Sequence, residues 1–219
     1  MHRQAAPVAQ INDFNILTCK SIEGSLTGSH VITGPTTIEA VERADPRSQT
    51  QIQAQTITIT PVKDNPRLAE RVEAVGNPVR FSGTRPTADG KAVRTFKGTG
   101  SKAVYFKQEG RVVFDGPVTY YAQQPTDDGK GIQTLEGTAT SAIFNEKTGL
   151  LIARDVKGTF MHPAFERPSH FAGDSLTIDL GKRPYAYKLE NDDITHGSVQ
   201  FTPKPSEKKP EKKPEKKSG

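Results

Sequence analysis

Tryptophan is absent from this 219-residue chain, cysteine occurs once, and hydrophobic residues make up only 33% of it. The single cysteine, Cys19, excludes a disulfide within the chain and leaves cysteine usage silent on the redox compartment. Ile16, Leu17 and Thr18 precede it, but threonine directly before the cysteine and the polar run from Gln10 to Asn15 fit a lipid-modified leader poorly. No stretch is apolar enough to cross a membrane. No stretch of helical length keeps a 3.6-residue apolar period without an interrupting glycine or proline, which points to an all-β chain.

Catalytic signatures are missing as well. There is no Gly-x-Ser-x-Gly elbow and no phosphate-cradling glycine loop, and the carboxylate pairs Asp127-Asp128 and Asp192-Asp193 sit in turn-like contexts where such residues are ordinary. His162, Glu166 and His170 are spaced four apart, but Pro163 and Pro168 exclude the helix that would put them on one face, so the segment reads as a solvated turn and not a metal site. Neither an enzyme nor a cofactor is expected. The formal net charge of +5 is concentrated in one place: Lys204 to Gly219 holds seven lysines and three glutamates, and so contributes +4. The body is close to neutral, which argues against a nucleic-acid partner.

What the chain does have is repetition. An apolar residue stands two places before a glycine, followed by an alternating strand, a turn, a second alternating strand and a second glycine. The copies open at Gly98, Gly137 and Gly173, which lie 39 and 36 residues apart, the spacing of repeated supersecondary units. Their second glycines are Gly116, Gly158 and Gly197. A longer, earlier copy begins at the clean alternation from Ile52 to Thr60 and includes Gly76. Segments such as Pro61 to Pro66, Pro125 to Gly131 and Lys147 to Gly149 carry the glycine, proline and aspartate of hairpin turns.

Three regions follow: a flexible lead over 1–14, a β-repeat array over 15–203, and a disordered Lys/Glu/Pro tail over 204–219. Short alternating pieces from Asn15 to Ile38 suggest a strand pair that caps the array.

Strand side chains alternate between faces, so aligning the copies assigns an inward side. Counted from the opening glycine, the inward positions are Ala103 and Tyr105, Ala142 and Phe144, Ile178 and Leu180, with Ile57 and Ile59 in the early copy. Val104 and Ile143 break this pattern. Around the second glycine the inward set is Phe114, Val118 and Tyr120; Val156, Phe160 and His162; and Val199 and Phe201. Val79 and Phe81 fall one place late, which predicts an extra residue at Asn77-Pro78. Glycines 116, 158 and 197 inside strand patterns suit bends, giving two facing sheets with an apolar interior. That interior reads either as a packed core or as a trough that admits long apolar ligands; periodicity does not choose.

Gly137 to Phe144 followed by Val156-Lys157-Gly158, and Phe171 to Leu180, resemble the repeats of the OstA-like family of LptA-type lipopolysaccharide-transport proteins; Ile52-Gln53-Ala54 through Gly76-Asn77-Pro78-Val79 resembles the family's first repeat. The resemblance covers about 50–203. It implies an open twisted β-jellyroll that holds acyl chains in its groove, with Ile57, Ile59, Val79, Phe81, Ala103, Tyr105, Phe114, Val118, Tyr120, Ala142, Phe144, Val156, Phe160, Ile178, Leu180, Val199 and Phe201 lining it.

It further implies lipopolysaccharide or a similar amphiphilic lipid as ligand, carried across the periplasm toward the outer membrane. The partners would be other Lpt-type jellyrolls joined by strand addition, with head-to-tail self-association as a variant. No export signal is visible, and association with a membrane is left open. The pairing edges are expected near Ile22 to Ile38 and near Val199 to Phe201. The alternative is a structural or polysaccharide-binding β-solenoid without lipid transport.

Overall fold

A computed structural model describes residues 7–25, 27–41, 45–87, 90–126, 129, 131–179, 186–190 and 198–200. All regular structure among them is β, as the β-branched alternation requires. In order the strands are β1 (Ala9–Ile11), β2 (Phe14–Thr18), β3 (Ser21–Gly24), β4 (His30–Ala40), β5 (Gln49–Val62), β6 (Asn65–Pro86), β7 (Val93–Phe106), β8 (Arg111–Pro125), β9 (Ile132–Asn145), β10 (Leu150–Met161), β11 (Ser169–Asp179), β12 (Ala186–Glu190) and β13 (Ser198–Gln200).

All thirteen strands belong to one antiparallel sheet, a meander from β4 to β12. At one end β2 and β3 both pair with β4; at the other, β12 and β13 both pair with β11.

The sheet is creased. Register shifts fall between Thr33 and Thr36, Gln53 and Thr56, Val75 and Val79, Thr99 and Lys102, and Asp115 and Val118 on successive strands. Irregularities aligned in this way bend these strands at one level. The expected extra residue at Asn77-Pro78 is one of them. Gly116 crosses the crease at φ +87°, where a Cβ would also lie 2.3 Å from Ser101 Oγ, so no other residue fits there without strain. On β10 the corresponding place is taken by Asp155, at φ +50°.

Each long strand therefore contributes one half to each of two leaves. The first leaf holds 49–53, 79–86, 93–99, 118–125, 132–139 and 156–161; the second holds 56–62, 65–75, 102–106, 111–115, 141–145 and 150–154. Rings from the two leaves meet between them. Phe81 lies 5.3 Å from Tyr105 and 6.0 Å from Phe114 (ring centroids), and Phe96 lies 5.0 Å from Phe144. The expected two facing layers are thus the halves of one folded sheet.

Several rings rest on glycines of the neighbouring strand. Gly83, Gly137 and Gly158 lie beneath Phe96, Tyr120 and Phe171, their partners across the ladder, while Gly98 of the first leaf receives the Phe114 ring from the second, with Cζ 2.8 Å from where its Cβ would stand. An aromatic laid over a cross-strand glycine fills the missing side chain's space.

Some expectations need correction. The lead of 1–14 contains β1 and the start of β2, and Phe14 is fully buried; a three-residue strand is too short to show alternation. Gly158 is not a bend: it pairs with Gly137 in regular register, and the irregularity of β10 is three residues earlier. The segment from Pro61 to Pro66 does hold the expected hairpin turn, at Lys63-Asp64, but the turn is narrower, with β5 reaching Val62 and β6 starting at Asn65. Gly197 and the tail of 204–219 lie outside the described residues.

Candidate functional site: the interior and its rim

The interior is assembled by alternation on both leaves. Ile57, Ile59, Val79, Phe81, Ala103, Tyr105, Phe114, Val118, Tyr120, Ala142, Phe144, Val156 and Ile178 are all buried in one cluster. Phe160 is partly buried against that cluster, with its ring facing His162 and Phe165 at 6.3 and 6.1 Å. Leu180 and Phe201 lie outside the described residues; Val199 stands opposite Phe171 in the β11–β13 ladder.

Sequence reasoning missed other members. Phe96, Leu135 and Phe171 are buried in the same cluster, and their signal was present: each is the apolar residue two places before a glycine. On β7, Phe96 belongs to an inward set (Phe96, Gly98, Gly100) whose parity is reversed relative to Ala103 and Tyr105, because the ladder changes register between them. The two breaks in the pattern are neighbours. Val104 pairs with Val113, Val113 with Ile143, and Ile143 with Ile152, forming an apolar row on the outer side of the second leaf.

Side chains fill the interior almost completely. The void bounded by Phe81, Phe96, Phe114, Phe144 and Leu151 is about 20 Å³, room for a single water-sized molecule. Tyr120 sits beside it with its hydroxyl buried and without a hydrogen-bond partner among the described residues. Burial pushes its phenol pKa above the usual range, because the phenolate would lose its solvation.

Opposite the crease, the leaf rims are tied together. Glu146, in the β9–β10 turn of the second leaf, is 1% exposed, yet its carboxylate is fully engaged. It accepts from Thr50 Oγ1 at 3.0 Å, from Arg85 at 2.6 Å and from the Tyr105 hydroxyl, while Arg85 also donates to Thr50 Oγ1 at 2.8 Å. Thr50 and Arg85 belong to the first leaf, so this network is a clasp between leaves.

A second tie lies toward the amino-terminal end. Asp13, between β1 and β2, accepts from the Ala69 backbone N–H at 2.9 Å and pairs with Lys107 at 2.9 Å. Over these ties lies a cleft of about 940 Å³, whose walls include Arg67, Leu68, Arg85, Lys107, Glu146 and Lys147.

The edges differ from expectation in part. β4, which contains Ile32 and Ile38, is paired on both sides, whereas β3, with Ile22, pairs only with β4. At the other end β12 and β13 pair, among the described residues, only with β11. His162 holds the Ala164 N–H on its Nδ1 at 3.1 Å, in a turn that packs against Phe160. No group of three or more potential metal-ligating side chains occurs among the described residues, and no described helix is long and apolar enough to cross a membrane.

No family model matches the chain, and no curated protein does. Among solved structures, the chain is similar to LptH, the LptA-homologous periplasmic component of the conserved lipopolysaccharide transport device from Pseudomonas aeruginosa, at 20% identity over 65% of this chain and 85% of that one, with a TM-score of 0.45.

Proposed function

We infer that this chain binds and carries lipopolysaccharide or a similar amphiphilic lipid across the periplasm, without catalysis, by receiving acyl chains between its two leaves. One observation carries the reading: the apolar interior runs from β2 to β11 without interruption and is bounded by edge strands that pair on one side only. The sequence resemblance to OstA-like repeats points the same way. Enclosing about a dozen methylenes contributes roughly 10 kcal/mol, at about 0.8 kcal/mol each. A lipid held so strongly leaves slowly into water, so transfer requires a neighbouring groove joined strand to strand, through β1 and β3 at one end and β12 and β13 at the other.

The void of about 20 Å³ among the rings is too small for an acyl chain, so the leaves part when a chain enters.

The experiment is mass spectrometry of the purified protein for co-purifying lipid, together with displacement of an apolar dye by lipopolysaccharide. Bound amphiphile and displacement are expected; absence of both sinks the reading. Proline at β3 or β13 is expected to reduce head-to-tail association and lipid transfer together.

A second reading rests on the outer side of the first leaf. A depression of about 700 Å³ there is walled by Arg80, Lys97, Thr119, Tyr121, Glu136 and Thr159, with Phe81 and Tyr120 also in its lining, a set of hydroxyls and rings that suits a saccharide. Oligosaccharide binding that survives without any lipid displacement would favour it.

A further inference from the structure

We propose that the cleft over the rim clasp is the seat of a phosphate-bearing headgroup, whose acyl chain passes between the leaves below. The proposal rests on the reading of the interior as an acyl-chain site and adds the chemistry of the polar end. Four cationic side chains converge on this cleft from three places in the sheet: Arg67 and Arg85 at opposite ends of β6, Lys107 after β7, and Lys147 after β9. Two carboxylates accompany them, Asp13 and Glu146, which leaves a formal excess of two positive charges in a body that is otherwise near neutral.

The distribution of the cations matters as much as their number. Arg85 and Lys107 are held by Glu146 and Asp13 at the level of the clasp, whereas Arg67 and Lys147 are exposed above it, with Lys147 Nζ donating to the Gln108 carbonyl at 2.6 Å and keeping its other protons for a ligand. Pro66 and Leu68 lie between as apolar wall, and the buried ring of Tyr105 forms part of the floor. An amphiphile oriented by such a site has its anion at the solvent side and its chain directed toward Tyr105 and the interior. Guanidinium and ammonium groups hold phosphate oxygens by charge-assisted hydrogen bonds, so phosphate is the headgroup chemistry that fits.

The test compares lauroyl lysophosphatidic acid with monolaurin, which share a chain and differ in the phosphate, by isothermal titration of the full chain, with glycerol 3-phosphate as the free headgroup. The wild type is expected to bind the phosphorylated form at least tenfold more tightly, with the ratio shrinking as sodium chloride rises. In Arg67→Gln/Lys147→Gln, which alters two exposed positions and leaves the clasp in place, the ratio should fall to about twofold or less.

A wild-type ratio near one, or a ratio that survives the double substitution, overturns the headgroup seat while leaving the acyl-chain reading intact if monolaurin binds. Binding of neither amphiphile removes both. Glycerol 3-phosphate binding as tightly as the lysolipid, with the same dependence on Arg67 and Lys147, would make this a free-phosphate site and overturn the lipid assignment.

Discussion

Gly98→Ala is the substitution whose outcome follows most directly from the packing. At a strand position with ordinary backbone geometry, replacing glycine by alanine stabilises by about 0.5–1 kcal/mol, because the unfolded chain has less freedom to lose. At Gly98 the new methyl meets Phe114 instead, with Cζ at 2.8 Å, Cε2 at 3.1 Å and Cε1 at 3.4 Å. Phe114 is 4% exposed and its ring packs against Phe81 of the opposite leaf, so it has little room to retreat. Overpacking of this kind costs about 1–3 kcal/mol, which leaves a net loss of roughly 0.5–2 kcal/mol.

The decisive comparison is with the same change in a Phe114→Leu background. All three ring atoms in the way are missing from leucine, so the sign should reverse and alanine should stabilise. Urea unfolding followed by circular dichroism, with midpoint shifts at constant slope, measures all four corners of the cycle. A neutral or stabilising Gly98→Ala in the wild type, or an equal penalty in both backgrounds, would refute the idea that this glycine exists to receive the ring.

Three further outcomes follow from the same coordinates. Arg85→Met should destabilise by about 3–5 kcal/mol, since it strands the Glu146 carboxylate, while Arg85→Met/Glu146→Gln should recover most of that loss in the same urea titration. Asp155→Val should cost about 1–2 kcal/mol, because a β-branched residue at φ +50° is strained; stability equal to wild type would show that the crease relaxes there. Burial raises the phenol pKa of Tyr120 above that of an exposed tyrosine, about 10. The folded state therefore keeps a proton that the unfolded state releases, so this contribution to stability is complete below pH 10 and is lost as pH rises beyond it. Stability measured from pH 9 to 11 should fall less steeply in Tyr120→Phe than in wild type.

How much of this could be read from sequence depends on the range of the interaction. Alternation is local, so Tyr105, Phe144 and Ile178 could be placed on an inward face from a few neighbours each. Extra residues also leave a local trace, and the shift at Val79 and Phe81 located part of the crease. In-strand glycine is ambiguous by nature: Gly116 bends its strand, whereas Gly158 keeps its register and lies under a ring, and both look alike in one dimension. The clasp was invisible for a different reason. Arg85 and Glu146 stand 61 residues apart, each within a turn-flanking stretch where charged side chains normally face water. Only the folding of leaf onto leaf brings the strand end carrying Arg85 to the turn that carries Glu146.

The crease also governs what can join the ends of the sheet. Each terminal edge is divided at the bend into short ladders, three to five residues long, set at the angle between the leaves. A straight strand arriving from solution can complete one of these ladders but must abandon the other, while a strand kinked at the same level can complete both. Short, divided edges of this kind resist indiscriminate stacking, and under the strand-to-strand joining proposed above, a partner bent at the same level would extend both leaves at once.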